Sequence, residues 1–256
     1  MRVLFIGDVV GSPGRQGLRE VLPALREEHS PDLVIVNGEN SAGGVGITQR
    51  TANDLFDSGA DVLTTGNHVY RHREAYDFLE NSERVVRPAN YPQANPGRGH
   101  TVVEAGGMRV RVVNLSGGVG LRVARSPFDT VDSILSHHEQ DAVIVDFHAE
   151  VSSEKVAMGW HLDGRVAAVF GTHTHVPTAD GRVLPGGTAH VSDVGMTGSR
   201  TSVLGVKPEQ ALRSMITQMP TRFETAEEDV WVMGALVDVN EKGLADSFQQ
   251  VMRPVR

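Results

Sequence analysis

Apolar and polar residues alternate in blocks along the chain, and short apolar runs stand out in its first quarter. They lie at residues 3–6, 33–36 and 62–65. Apolar runs of this length, bounded by polar stretches, are typical of buried strands. Strands separated by amphipathic stretches indicate a parallel sheet whose crossover connections are helices.

The stretches between these runs have helical spacing. Apolar residues recur on one predicted helical face at Leu18, Val21, Leu22 and Leu25. Pro23 lies inside that pattern and leaves open whether the helix is unbroken, because proline removes a backbone donor. A second helix is predicted over residues 48–58, where Thr48 is a suitable N-terminal cap.

The rest of the chain carries further strand and helix signals. Residues 102–104 and 109–113 flank Gly106-Gly107, which predicts a hairpin. Further strands are predicted at 143–147, 166–170, 189–191 and 230–239, and further helices at 153–160 and 208–217. The composition changes nowhere in a way that marks a linker, so we expect one domain over residues 1–256. Its strands form either one mixed sheet or two facing sheets in an α/β fold.

The composition narrows the class of protein. Hydrophobic residues make up 39% of the chain and the formal net charge is −8. The hydrophobic fraction supports a packed core and argues against disorder. The acidic balance argues against long nucleic acid as a partner, since such binding depends on basic patches. It is compatible with a small anionic substrate, because bound metal ions reverse the local field.

The chain contains no cysteine. This excludes disulfides, thiolate metal sites and cysteine nucleophiles, so any metal must be held by oxygen and imidazole nitrogen. Residues 1–8 lack the basic start and long apolar core of a signal peptide. No apolar run reaches membrane-spanning length. We therefore expect a cytoplasmic protein without a membrane partner.

Polar residues follow the predicted strands at the points where the strands end. The segments at these ends are Gly7-Asp8, Asn37-Gly38-Glu39-Asn40, Gly66-Asn67-His68, Asp146-Phe147-His148 and Gly171-Thr172-His173-Thr174-His175. In parallel sheets, ligands bind at the carboxyl ends of the strands. The sequence therefore predicts that these side chains share one site.

The residue types at these ends suit metals that prefer hard oxygen and imidazole ligands. His173 and His175 are two residues apart. In an extended chain, residues at this spacing point to the same side, so both imidazoles are predicted to face one site and to serve different ions.

Taken together, these motifs resemble the calcineurin-like metallophosphoesterases, and more closely their YmdB-like branch. The resemblance covers nearly the whole chain and also includes Asn40-Ser41-Ala42, Thr65, Ala149-Glu150 and Ser192-Asp193-Val194-Gly195-Met196-Thr197-Gly198. It implies a sandwich of two β-sheets flanked by helices. Two positions depart from the wider superfamily: Val10 stands where a histidine is common, and Glu39 replaces the usual bridging aspartate. Both departures match the YmdB-like branch, in which Asn40 supplies the missing ligand.

The resemblance also implies a ligand assignment for two divalent or trivalent metal ions. Each ion has four ligands, and Glu39 is the bridge shared by both sets. One set is Asp8, Glu39, Asn40 and His175; the other is Glu39, Asn67, His148 and His173. Iron or manganese is implied by the resemblance, whereas the residue types by themselves indicate only a pair of first-row ions.

A mechanism follows from these parts. A hydroxide bridging the two ions would attack phosphorus in line with the leaving oxygen. His68 directly follows the ligand Asn67 and is the candidate general acid for that oxygen. The predicted function is a phosphodiesterase that acts on small phosphodiesters as substrate. The resemblance favours 2′,3′-cyclic nucleotides, hydrolysed to 3′-nucleotides.

Other functions stay open at this point. The alternatives are a metal-dependent phosphomonoesterase and a non-catalytic regulator that binds metal or nucleotide. His68 beside a full ligand set favours an enzyme, since a sensor needs no proton donor. The glycines between Gly7 and Gly14 lack the spacing of a dinucleotide or phosphate-binding loop. Assembly into a homo-oligomer also stays open.

The other histidines are predicted to have surface or structural roles, since they lack neighbours of ligand type in the sequence. They are His29, His72, His100, His137, His138, His161 and His190.

Overall fold

The computed structural model of the protein describes residues 1–136 and 142–256. The strands of this part are β1 (Arg2–Ile6), β2 (Asp8–Val9), β3 (Leu33–Asn37), β4 (Val62–Thr64), β5 (Val85–Val86), β6 (His100–Ala105), β7 (Met108–Ser116), β8 (Ala142–His148), β9 (Ala168–Thr172), β10 (Arg182–Val183), β11 (Ala189–Val191), β12 (Met196–Ser199), β13 (Val230–Val239) and β14 (Ala245–Pro254). The α-helices are α1 (Gly11–His29), α2 (Gln49–Asp57), α3 (Tyr76–Asn81), α4 (Pro127–Leu135), α5 (Ser152–Leu162) and α6 (Pro208–Thr217). A short 3₁₀ turn, Arg73–Ala75, precedes α3.

The described strands form two sheets. The first has the order β2-β12-β13-β1-β3-β4-β5, and β14 pairs with β13. Strands β1, β3, β4 and β5 are parallel, whereas β13 runs antiparallel to β1. The second sheet has the order β10-β11-β9-β8-β7-β6, with parallel strands in the centre and antiparallel strands at both edges. Of the two arrangements that the sequence left open, the structure has the pair of sheets.

The two sheets pack face to face. On β1, Val3 and Phe5 belong to the core between the sheets, whereas Leu4 and Ile6 pack on the other side. Phe5 stacks on Phe170 of β9, with ring centroids 4.6 Å apart. Side chains alternate along a strand, so a strand that is buried on both faces reads as a continuous apolar run. This explains the unbroken run at residues 3–6.

Helices cover the outer faces of both sheets. Leu18 and Leu22 of α1 and Leu55 of α2 pack in the core on the outer side of the first sheet. Met158 and Leu162 of α5 pack in the corresponding core of the second sheet, together with residues of α4. The layers therefore run helix, sheet, sheet, helix, as the sandwich prediction requires.

The predicted helices are confirmed, with one question resolved. Helix α1 is continuous from Gly11 to His29, and Pro23 lies on its exposed side. Thr48 caps α2, because its hydroxyl accepts the Thr51 N–H while the Thr51 hydroxyl bonds to the Thr48 backbone. This reciprocal pair satisfies backbone donors that would otherwise have no partner.

Some strands differ from the prediction. The strand predicted at 166–170 lies at Ala168–Thr172, because it is held by pairing with β8 up to His148. Strand β14 was not predicted; its burial alternates irregularly, and its long pairing with β13 defines it. No helix within residues 1–136 and 142–256 has both the length and the apolar character needed to cross a bilayer.

Candidate metal centre

All seven predicted ligands lie at one edge of the sandwich, where the parallel strands of both sheets end. The first sheet supplies the residues that follow β1, β3 and β4, and the second supplies those at the ends of β8 and β9. Within this edge the structure brings together Asp8, Glu39, Asn40, Asn67, His148, His173 and His175.

The hydrogen bonds of His148 determine which of its ring nitrogens carries the proton. The Thr172 hydroxyl donates to Asp146 Oδ1 at 2.7 Å, so the Thr172 hydroxyl oxygen can accept a hydrogen bond from the His148 ring. His148 Nδ1 lies 2.9 Å from this Thr172 oxygen and is the donor. His148 Nε2 therefore has a free lone pair. A buried outer partner that fixes the tautomer in this way is typical of metal-binding histidines.

His173 is fixed in the opposite sense. Its Nε2 lies 2.9 Å from the Glu150 carboxylate, which can only accept, so Nε2 carries the proton. Its Nδ1 then has a lone pair and lies 3.1 Å from His148 Nε2. Asn67 Oδ1 is also 3.1 Å from His148 Nε2, and Glu39 Oε1 is 3.7 Å away. With both rings neutral and Glu39 ionised, these four atoms are all acceptors, and no hydrogen bond joins them.

A second group surrounds His175. Its Nδ1 lies 3.0 Å from the Leu204 carbonyl and donates to it, which leaves the lone pair on Nε2. That atom is 3.7 Å from Asp8 Oδ1 and 3.1 Å from Asn40 Nδ2. Asn40 Oδ1 faces His68 Nδ1 at 3.3 Å. In this orientation Asn40 presents its amide nitrogen to His175, and a half-turn of the amide would present the oxygen that can bind a metal.

Two buried carboxylate oxygens have no hydrogen-bond partner among the described residues: Asp8 Oδ1 and Glu39 Oε2. Both side chains are fully buried. An unpaired buried carboxylate oxygen is costly unless a cation neutralises it. The residues therefore fit a metal centre. Within residues 1–136 and 142–256 no group of three or more His, Asp or Glu side chains could hold a metal ion without other ligands; the amides of Asn40 and Asn67 lie beside the histidines of the site.

The protonation equilibria of the site follow from burial and from neighbouring charges. Burial alone would raise the pKa of Asp8, but the nearby His175 and His148 outweigh it and hold this pKa well below its usual range. Burial raises the pKa of Glu39, and the charge of Asp8 adds to this effect. Burial lowers the pKa of His148 and of His173, which favours the neutral, metal-binding form of both rings.

His175 behaves differently from the other two imidazoles. Burial lowers its pKa, but the Asp8 carboxylate and the Leu204 carbonyl outweigh burial and raise it. A proton on Nε2 would therefore compete with a metal ion for this atom, so metal binding at this ring should release a proton.

His68 lies beside the two groups without belonging to either. Its backbone N–H donates to Glu39 Oε1, and its Nδ1 is 3.4 Å from the same oxygen. The imidazole is 40% exposed. Burial, followed by the charges of His173 and Arg71, lowers the pKa of His68.

The backbone of the His173-Thr174-His175 segment is not extended, so that part of the prediction is wrong. Strand β9 ends at Thr172, and the φ angles of His173 and His175 are 91° and 63°. Both lie in the left-handed region, which side chains other than glycine rarely adopt. The two imidazoles still reach the site, but they present different ring nitrogens to different groups.

Sequence reasoning missed the residues that hold the predicted ligands in place. Asp146, Thr172 and Glu150 fix the histidine tautomers, and Asn37 donates to Asp146 Oδ2 at 2.8 Å. Burial raises the pKa of Asp146 to about 7. One signal was available: Asp146 lies two residues before His148 on one strand, so both point to the same face.

The remaining histidines that the structure describes have other partners, consistent with surface or structural roles. His72 Nε2 bonds to the Val45 carbonyl at 2.8 Å, and His161 Nε2 lies 3.0 Å from Asp132. His29 lies beside Glu28, His100 bonds to Arg111, and His190 is buried in β11 with its Nδ1 facing the Val169 carbonyl of β9. His137 and His138 lie outside the described residues.

Comparison with known proteins gives a consistent result. The sequence model of the family described as YmdB-like protein matches residues 4–251. The chain is 44% identical over 244 residues to the 2′,3′-cyclic-nucleotide 2′-phosphodiesterase of Bacillus subtilis strain 168, and the match covers 94% of this chain and 92% of that protein.

Solved structures agree with this match. A crystal structure described as a novel phosphatase from Mycoplasma pneumoniae has a TM-score of 0.94 and 33% identity, covering 99% of this chain and 93% of that one. A putative 5′-nucleotidase from Staphylococcus aureus has a TM-score of 0.63 at 15% identity, covering 100% of this chain and 54% of that one. The second likeness concerns the fold alone. The fold is the calcineurin-like metallophosphoesterase sandwich that the sequence predicted.

Proposed function

We propose that this chain, which belongs to the YmdB-like family of metallophosphoesterases, is a dinuclear-metal-dependent hydrolase of small phosphodiesters. Its leading substrates are 2′,3′-cyclic nucleotides, and its products are 3′-nucleotides. The observation that carries the proposal is the opposed pair of unprotonated ring nitrogens on His148 and His173, 3.1 Å apart.

The lone pairs of these two nitrogens repel each other, and a bound cation would remove that repulsion. Imidazole nitrogens with free lone pairs are suitable ligands for a first-row transition metal ion, so His148 and His173 would hold such an ion together. Asn67 Oδ1 also lies 3.1 Å from His148 Nε2. We assign Asn67, His148 and His173 to one ion and Asp8, Asn40 and His175 to the other, with Glu39 between them.

The negative charge of the site explains why binding of an anionic substrate requires the metal ions. Asp8 and Glu39 are buried acids, and with both ionised they would repel a phosphodiester anion. A bound pair of metal ions supplies an activated water and neutralises the charge on the phosphate oxygens. Iron or manganese remains the metal that we propose.

His68 is the residue that we assign to the leaving group. Its Nδ1 lies 3.3 Å from the Asn40 side-chain amide, which can bond to this nitrogen in either orientation, so Nε2 is the atom that can carry a proton to the substrate. A lowered pKa means that the imidazolium holds this proton less tightly. As the bond from phosphorus to the 2′ oxygen breaks, Nε2 would protonate that oxygen, which is a poor leaving group as an alkoxide.

The substrate class rests on two arguments. The net charge of −8 gives the chain no general attraction for a long polyanion. The relative from Bacillus subtilis is named for 2′,3′-cyclic nucleotides and is similar to this chain over nearly its whole length. A compact cyclic diester is consistent with both the net charge of the chain and the name of this relative.

The test is a product analysis. Manganese-loaded protein is incubated separately with 2′,3′-cyclic AMP, 3′,5′-cyclic AMP and 5′-AMP, and the products are separated. We expect preferential opening of 2′,3′-cyclic AMP to 3′-AMP. Release of 2′-AMP instead would contradict the assignment of the leaving oxygen, and absence of turnover with both metals bound would favour a binding regulator.

A phosphomonoesterase is the second candidate. It is favoured by the structure from Mycoplasma pneumoniae described as a phosphatase, which is 33% identical to this chain. A clear preference for 5′-AMP in the same assay would select it over the diesterase.

A further inference from the structure

A short segment of the chain crosses from one sheet to the other beneath the metal centre. Residues 192–195 connect β11 of the second sheet to β12 of the first. A Cβ atom on Gly171 would lie 1.7 Å from the Ser192 carbonyl oxygen, and one on Gly7 would lie 1.9 Å from the Gly195 carbonyl oxygen. The segment therefore packs directly against the ends of β9 and β1, which lead into His173 and Asp8.

Asp193 is the polar centre of this segment. Its Oδ2 accepts from the Thr174 hydroxyl at 2.6 Å, from the Thr174 N–H at 3.1 Å and from Lys155 Nζ at 2.9 Å. Its Oδ1 accepts from the Gly195 N–H at 2.8 Å. Lys155 Nζ also donates to the Thr174 hydroxyl at 2.9 Å, which closes a triangle of bonds.

This ion pair is deeply buried. The side chains of Lys155 and Asp193 are 2% and 0% exposed. Burying two charges is costly, and a well-packed apolar pair is often as stable. Gain in folding stability is therefore a weak explanation for these residues. Specifying one local geometry is a better one, because each bond to Asp193 has a defined direction.

The local geometry that the bonds to Asp193 specify is the backbone conformation around Thr174. It lies between His173 and His175, whose φ angles of 91° and 63° persist only where the surroundings hold them. These angles allow one ring to present Nδ1 and the other to present Nε2 to their respective groups. Holding Thr174 at both its N–H and its hydroxyl fixes the backbone between the two rings.

We propose that the Lys155–Asp193 ion pair is a positioning device for the metal ligands. It holds Thr174 so that His173 and His175 stay in their left-handed conformations, and through Gly195 it keeps the strand end that carries Asp8 in register with them. This proposal rests on the proposed metal centre and concerns residues that touch neither metal nor substrate.

A matched pair of substitutions at Thr174 tests the proposal. Thr174→Val keeps the shape of the side chain and leaves the ion pair intact, but it removes the hydroxyl that bonds to both charges. Thr174→Ser keeps the hydroxyl. Metal-free wild type and variants are titrated with Mn²⁺ alone by calorimetry, and thermal unfolding of the metal-free proteins is followed in parallel.

We expect Thr174→Val to weaken Mn²⁺ binding by roughly 10- to 100-fold, the usual effect of losing an outer partner of a ligand. Thr174→Ser should bind like wild type. Lys155→Met should shift the affinity in the same direction as Thr174→Val, provided that its metal-free form still unfolds cooperatively.

Unchanged Mn²⁺ affinity in Thr174→Val would overturn the positioning role, and a lowered melting temperature with unchanged affinity would assign the triangle to folding alone. Failure of the wild type to bind Mn²⁺ would overturn the proposed metal centre as well. The two failures are therefore distinguishable.

Discussion

His148 Nε2 and His173 Nδ1 face each other at 3.1 Å, and each lacks a proton. Their outer nitrogens are engaged, one with Thr172 and the other with Glu150. Two lone pairs at this distance repel unless a cation lies between them. This relationship makes the metal content of the protein the first quantity to measure.

We expect about two metal ions per chain in protein purified without chelator, measured by elemental analysis. Their removal should lower the melting temperature, because the ions neutralise Asp8 and Glu39. A metal present at 100 times its dissociation constant stabilises the fold by about 2.7 kcal/mol. Protein that remains metal-free after incubation with manganese or iron would contradict the model.

Glu39→Gln should reduce the binding of both ions, since this carboxylate is assigned to both sets. It should also raise the melting temperature of the metal-free protein, because burial raises the pKa of Glu39 and the unpaired charge is destabilising. Metal content and metal-free melting curves measure the two effects. Glu27→Gln, on the exposed side of α1, is the control and should change neither. Full metal content in Glu39→Gln would reject the bridging assignment.

His68→Ala should lower turnover by roughly 10²- to 10⁴-fold if this residue is the general acid. Metal content should be nearly unchanged. The loss should shrink for a phosphodiester whose leaving group needs no proton, as measured with paired good and poor leaving groups. His72→Ala, at a half-buried histidine that bonds to the Val45 carbonyl, is the matched control. An equal loss with both leaving groups would favour a positioning role for His68.

Gly171→Ala should destabilise the folded protein, because its Cβ would meet the Ser192 carbonyl oxygen at 1.7 Å. Overpacking against side chains typically costs about 1–3 kcal/mol, and backbone that cannot move aside should place this variant at the upper end or beyond. Chemical denaturation measures the change. Gly118→Ala is the control, since its nearest neighbour would be 3.5 Å away. Equal stability of the two variants would show that the segment formed by residues 192–195 shifts easily to accommodate the added methyl group.

The helices and the central strands were predictable because their signals are local. Helix α2 needs only Thr48 and Thr51 at the right spacing, and β1 needs only an apolar run. Pairing across the sheet carries no such local signal. The position of β13 between β12 and β1, and its long ladder with β14, depend on residues far apart in the chain. The single domain over residues 1–256 stays a prediction.

The proximity of the proposed ligands was predictable for a related reason. Parallel strands bring their carboxyl ends to one edge, so residues such as Glu39 and Asn67, which follow neighbouring strands of the first sheet, are expected near each other. The supporting residues were harder to find, because Glu150 and Asp193 lie in loops. Their partners are set by the approach of other loops rather than by position along a strand.

By itself, the sequence determined which side chains reach the edge of the sandwich, because strand alternation and strand ends are properties of the local chain. Only the tertiary structure decided how those side chains are presented. The left-handed turn at His173 and His175, the ring nitrogen that each exposes, and the burial that moves the pKa of Glu39 all depend on contacts between the two sheets. Hydrogen-bond direction and desolvation are fixed by surroundings that meet only after folding, so no local pattern encodes them.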